Sequence, residues 1–292
     1  MSIYVNGSLV KWGKGHFDGA FPSGELKPTE QWVPDQEHNF IKWFYLQDGG
    51  GDEEFYYISI IVRDLKKSAP NAKNILWMEF IPNARLDKSR GADGNLLPCN
   101  EYNADYINEL GFTKVYGVEP HSEAFEENYR NAIPVYPTVT GLIDVRNALT
   151  TNRNIQWIFP DKGAFARYKG QLPGVTEDDI IIIGKHRTDG SIDKTEIESG
   201  SPRPGYDLVI VDDLCSRGGT FYGAAQKLRA AGADGDIYLV ISHLEPNVFS
   251  GHLIKDDSPI ARIFVCTKSL GELLHSRITY LNPDYQKEAE IC

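Results

Sequence analysis

Residues 207–220, DLVIVDDLCSRGGT, constrain this chain more than any other stretch. The run Leu208-Val209-Ile210-Val211 reads as a strand buried on both faces, which places it in a parallel α/β sheet. It stops at two adjacent carboxylates, Asp212 and Asp213. Gly218 and Gly219 then make a turn, and from Thr220 a helical pattern runs through Phe221 to Ala231. In open α/β sheets ligands bind beyond the carboxyl ends of the strands, where such loops gather. Backbone N–H groups at a Gly-Gly-Thr helix start sit at the positive end of the helix dipole and suit phosphate. Adjacent carboxylates can hold sugar hydroxyls or a Mg²⁺-bound polyphosphate. An ordinary strand–turn–helix with a solvated acidic pair is the plain alternative.

The 292 residues allow one large or two medium domains, and 41% hydrophobic with 24% charged residues is usual for a soluble globular chain. A formal net charge of -11 argues against nonspecific nucleic-acid binding. Cys99, Cys215, Cys266 and Cys292 form neither a CxxC pair nor a metal-ligand spacing, so reduced thiols are expected. No run approaches the roughly 20 apolar residues of a membrane span, and the first residues lack a signal-peptide core. A cytoplasmic location is the expectation.

Taken in order, residues 3–46 read as short strands and turns ending in the apolar run 41–46. Phe55, Ile58, Ile61, Val62 and Leu65 recur at helical spacing before Pro70. A strand at 75–80, a helix at 98–110 capped by Gly111, and a strand at 114–118 delivering Glu119-Pro120-His121 follow. After about residue 140 the alternation restarts: helix 142–149, strand 155–159 ending in Pro160-Asp161-Lys162-Gly163, a helix from Ala164, and strand 180–183. Residues 185–206 hold almost no apolar side chains, which predicts either a mobile functional loop or a partial hairpin. Strands at 237–241, 260–266 and 278–281 complete the pattern. The helix–glycine–strand–histidine run of 110–121 recurs at 231–243, which predicts a duplicated α/β domain; coincidence is the alternative.

Three strand ends compete to form a site: Glu119-Pro120-His121, Asp161-Lys162-Gly163 and Asp212-Asp213. There is no GxxxxGK[ST], and no GxGxxG follows a strand, so phosphate binding here needs another device.

In this order the motifs resemble the ribose-phosphate pyrophosphokinase family, the phosphoribosyl pyrophosphate synthetases, over roughly Phe17 to Ser269. The resemblance implies two tandem, pseudo-symmetric type I phosphoribosyltransferase-like α/β domains with central parallel sheets, divided here into 1–140 and 141–292. Residues 211–220 look like the family's ribose-phosphate loop. On that likeness Asp212 and Asp213 hold ribose hydroxyls, while Ser216, Arg217, Gly218, Gly219 and Thr220 cradle the 5-phosphate. Residues 80–88 are similar to the ATP-binding segment, with Arg85 and Asp87 on matching positions. His121 falls on the Mg-ATP histidine and Asp161 on its metal partner. Lys185 and Arg187 match the basic pair that begins the catalytic flexible loop. Phe21, Gly24 and Glu25 resemble a segment that reaches the adenine of a neighbouring subunit, implying a homo-oligomer with a shared ATP site. Phe249-Ser250-Gly251 echoes a further family stretch. The cofactors implied are Mg²⁺ and, as co-substrate, ATP. The phage-encoded relatives act on ADP-ribose.

Each residue also has a plainer reading. One histidine is no metal site, so His121 alone would be a structural strand-end residue. Lys185 and Arg187 alone would be solvated loop charges. Phe21 is as readily a core aromatic as an adenine contact. His243 reads as a relic of duplication rather than a ligand. The chain also departs from the family: Ser216-Arg217 replaces Asp-Thr before the glycines, Leu86 stands for Gln, and Ser23 for Asp. Losing an acid and gaining Arg217 makes the 5-position more positive, which suits a diphosphate such as that of ADP-ribose. The expected reaction moves the β,γ-pyrophosphoryl group of ATP to the anomeric hydroxyl of a ribose-5-phosphoryl acceptor, ADP-ribose or ribose 5-phosphate. A phosphoribosyltransferase and a noncatalytic synthetase-associated subunit are the competing readings.

Overall fold

The computed structural model describes residues 3–10, 21, 23, 32–45, 51–87, 97–149, 153–172, 175–188 and 191–281. They form two compact units, Met1–Val135 and Tyr136–Cys292. Among them no helix is long and apolar enough to cross a membrane. Cys99, Cys215 and Cys266 are free thiols, and Cys292 lies outside the described residues.

In the first unit the elements are β1 (Ile3–Val5), β2 (Ser8–Leu9), β3 (His38–Trp43), α1 (Gly51–Ser68), β4 (Lys73–Met78), α2 (Cys99–Glu109), β5 (Lys114–Val118), α3 (Ala124–Asn128) and β6 (Ala132–Val135). They build a six-stranded sheet of order β2-β1-β3-β4-β5-β6. From β3 to β6 all pairings are parallel, and β1 runs antiparallel to both of its neighbours. Continuous burial from Asn74 to Met78 follows from a strand covered on both faces. Helix α1 packs through Ile58, Ile61, Val62 and Leu65, as the sequence spacing predicts; Phe55 is partly buried against the same core, and Tyr57 is buried as well. The apolar run 41–46 does not continue as a strand to its end, because Tyr45 turns the chain out of the sheet with φ 48. Short α3 and the Pro134-containing edge strand β6 were not expected; proline is tolerated there because an edge strand has an unpaired side.

The second unit comprises α4 (Pro137–Ala148), β7 (Asn154–Phe159), α5 (Lys162–Tyr168), β8 (Ile180–Thr188), β9 (Ser191–Ser199), β10 (Tyr206–Cys215), α6 (Gly219–Ala230), β11 (Ile237–Leu244), β12 (Arg262–Val265) and β13 (Ile278–Tyr280). Its seven-stranded sheet has the order β13-β12-β11-β10-β7-β8-β9 and is parallel except for β9. Alternate residues of β10 feed opposite faces. Leu208 and Ile210 pack with Phe221, Ala224 and Leu228 of α6, whereas Val209 and Val211 pack with Leu142 and Val145 of α4 and Tyr168 of α5.

The polar stretch 185–206 is largely the hairpin β8–β9, not a structureless loop. Its polar composition suits a sheet edge, where charged residues discourage pairing with a foreign strand. Gly200 ends β9 with φ +77, and a Cβ there would strike the Ile180 carbonyl. Gly200→Ala therefore combines a strained backbone with a backbone collision. It is expected to lower unfolding free energy by about 1–3 kcal/mol in urea titrations.

Candidate active site

In the second unit, β10 pairs with β7 only as far as Ile210 opposite Ile158. It continues alone beside β11 to Cys215 opposite Leu244. Asp212 and Asp213 thus lie inside the strand, on a segment that has outrun β7, rather than just beyond its end. The chain leaves β7 towards β8 on one side and β10 towards β11 on the other, so the gap between them is a topological switch point. Asp161 follows β7 at the same end of the sheet and caps α5, its Oδ1 accepting from the Ala164 N–H at 2.9 Å.

The cation that organises these acids is Arg167, which the sequence reading missed. Its Nη1 lies 3.4 Å from Asp212 Oδ1 and 3.2 Å from Asp213 Oδ1. The Arg167 side chain is only 10% exposed. Burial opposes the guanidinium charge, but the Asp213 and Asp212 carboxylates outweigh it and hold its pKa above the ordinary value. Asp212 moves the other way for an acid. Burial, then the charge and hydrogen bond of Asp213, then the charge of Asp161 push its carboxyl well above the usual carboxylate range, against the pull of Arg167. The available signal was an arginine one and a half turns beyond the Asp161 cap, on a helix packed under strand-end acids.

The loop after β10 is shaped by close approaches. Gly218 has φ 77 as the N-cap of α6, and a Cβ there would run into Leu253. Gly219 has open space around it, Thr220 is half-buried, and Arg217 is exposed. A ligand can therefore approach the amides of the first turn of α6 from outside. Gly251 presses against the Arg217 carbonyl, so the stretch after β11 backs the loop.

In the first unit the loops after adjacent parallel strands β4 and β5 meet. The Ser122 hydroxyl donates to Asp87 Oδ2 at 2.7 Å, joining the 80–87 segment to the residue after His121. Asn83 takes φ 54, and the Asn103 side chain donates to its Oδ1 at 3.0 Å. Glu119 is buried with φ 53, a costly conformation immediately before Pro120, and its N–H bonds the Val135 carbonyl at 2.7 Å. Arg85 is exposed and His121 half-buried beside this junction.

The remaining expected residues fall variously. Phe21 is 51% exposed and so is no core aromatic. Glu25 lies outside the described residues. Lys185 and Arg187 lie on β8 opposite Thr195 and Ile192, but their side chains are outside the described part of the chain. His243 is buried, with Nδ1 2.8 Å from Ser269 Oγ and 3.2 Å from Thr267 Oγ1, in a structural hydroxyl network. Among the described residues no three His, Cys, Asp or Glu side chains form a ready cation cage.

The ribose-phosphate pyrophosphokinase of Vibrio parahaemolyticus is 27% identical over 150 residues, covering 51% of this chain and 46% of that protein. That of Mycoplasmopsis pulmonis is 27% identical over 214 residues, covering 72% of this chain and 63% of its own. By sequence the chain is similar to ribose-phosphate pyrophosphokinases. The likeness to the Vibrio proteins spans about half of their length. No family model matches the chain. The phosphoribosylpyrophosphate synthetase of Mycobacterium smegmatis superposes with a TM-score of 0.60 at 18% identity, covering 83% of this chain and 82% of that one. This likeness carries the fold, and the expected α/β class with mostly parallel central sheets holds in both units.

The raised Asp212 pKa makes a stability prediction. Between the unfolded carboxylate value near about 3.9 and the higher folded one, the folded chain binds more protons, so stability falls as pH rises through that window. Asp212→Asn is therefore expected to be more stable than the native chain at pH 7. Urea titrations across pH should show the gain vanishing towards about pH 4.

Proposed function

We propose that the chain moves the β,γ-pyrophosphoryl group of ATP onto the anomeric 1-hydroxyl of a ribose-5-phosphoryl acceptor, releasing AMP. The observation that carries this reading is the placing of Asp161, Asp212 and Asp213 at a sheet switch point, directly before an open glycine-led helix start. Asp212 and Asp213 would accept the 2- and 3-hydroxyls of ribose, and the amides from Gly218 to Thr220 would take the 5-phosphate. Arg167 holds the acid pair in place by pairing with both carboxylates. Arg85, Asp87 and His121 would bind ATP, and Phe21, 51% exposed, would reach the adenine of another subunit in a homo-oligomer. His121 and Asp161 are each proposed as a Mg²⁺ ligand, and Mg²⁺ when bound neutralises phosphate charge. Lys185 and Arg187 would stabilise charge on the departing α–β bridging oxygen. Such a transfer is mostly positioning and charge neutralisation.

The favoured acceptor is ADP-ribose, because Ser216 and exposed Arg217 make the 5-position more cationic than an acidic loop would. Ribose 5-phosphate is the second acceptor, supported by the curated relatives being ribose-phosphate pyrophosphokinases. Incubation with ATP, Mg²⁺ and either acceptor, with AMP as the readout, tests the reading. AMP with ADP-ribose supports it in full. AMP with ribose 5-phosphate alone rejects the acceptor preference, and none with either favours a noncatalytic subunit. Lys185→Ala is expected to cut turnover at least about a hundredfold, the scale of one lost transition-state donor; unchanged turnover would remove Lys185 from catalysis.

A further inference from the structure

Beyond the phosphate loop, the second unit carries a surface of rings and cations that the transfer chemistry does not use. The Tyr222 ring lies against the His252 ring, centroids 5.1 Å apart and planes 36° apart. Tyr222 stands one turn into α6, its N–H bonded to the Gly218 carbonyl at 3.0 Å. His252 is exposed and follows Gly251, which presses on the Arg217 carbonyl. Lys255 Nζ lies 3.5 Å from His252 Nδ1. Phe249, 46% exposed, continues the ring surface and meets the His275 ring at 6.4 Å. Chain contacts thus tie this surface to both Arg217 and the start of α6, next to where a 5-phosphate would sit.

We propose that the Tyr222–His252 pair, flanked by Arg217 and Lys255, is the subsite for what lies beyond the acceptor's 5-phosphate: a second phosphate and a planar base. The subsite rests on the acceptor reading above and extends it to named residues. A diphosphate arriving at the α6 amides meets Arg217 and Lys255 as it leaves the loop, and charge-assisted bonds hold it. A base beyond it finds the exposed His252 ring, backed by Tyr222, and stacking on such a ring is tolerant of base identity. A bare ribose 5-phosphate ends at the loop and reaches neither Tyr222 nor His252. The Tyr222–His252 pair therefore sets acceptor preference rather than rate.

Equilibrium titration of the full chain with ADP-ribose, ADP and ribose 5-phosphate tests the subsite, using native protein, His252→Ala and Tyr222→Leu. His252 is exposed, so its replacement does not threaten the core. The native chain is expected to bind ADP-ribose at least about tenfold more tightly than ribose 5-phosphate, the worth of one stacked base. In His252→Ala that margin should fall below about threefold. Equal native affinities, or a margin untouched in both variants, would overturn the subsite. AMP release from MgATP with ribose 5-phosphate, measured alongside, separates the two readings. AMP release with no ADP-ribose margin rejects the subsite and keeps the transfer. A margin lost in His252→Ala without AMP from either acceptor keeps the subsite and rejects the transfer.

Discussion

Two carboxylates on successive residues of a mostly buried strand repel each other, and one guanidinium keeps them there. Arg167 reaches both Asp212 and Asp213 from α5, and all three side chains are at least four-fifths buried. Removing Arg167 would leave two adjacent buried acids without a cation, which costs more than the group contributes when whole. Much of the second unit serves this arrangement. Asp161 anchors α5 by capping it, α5 packs Tyr168 under β10, and the short pairing of β7 leaves room at the end of β10 for the acids. The arrangement is tense by construction, since Asp212 stays hard to ionise even with Arg167 present.

The first unit stores its tension in the backbone. Glu119 occupies a left-handed conformation while buried, one residue before a proline, at the point where β5 releases His121. Asn83 does likewise where the 80–87 segment turns back. Residues held in such conformations persist only where their surroundings over-determine them, and here the Asn103 amide and the Val135 carbonyl supply fixed partners. These contacts fix the backbone that presents Arg85, Asp87 and His121.

Most of the α/β pattern was legible because period and burial agree along the chain. Residues 208–211 and 237–241 are unbroken apolar runs, and α1 shows its buried face at helical spacing. The hairpin β8–β9 was legible only as one of two options. Its cohesion comes from backbone ladder bonds, which leave no mark on composition. Arg167 was invisible for a different reason. Its partners are 45 and 46 positions away, and only the stacking of α5 beneath β10 brings them together. His243 is buried, with hydroxyl partners at Thr267 and Ser269 that sequence spacing does not reveal.

The loop between β10 and α6 is divided in its tolerance for change. Gly218 is fixed twice over, by its positive φ and by the Leu253 side chain filling the space a Cβ would need. Arg217, its neighbour, contributes its carbonyl to the contact with Gly251 while its side chain stays in solvent. A substitution at 217 therefore alters the charge offered to a ligand without disturbing what holds the turn. Holding the turn and setting the exposed charge thus fall to adjacent residues that scarcely constrain each other. A loop built this way can change the charge and shape it presents to solvent by changing side chains alone, with its backbone kept as it is.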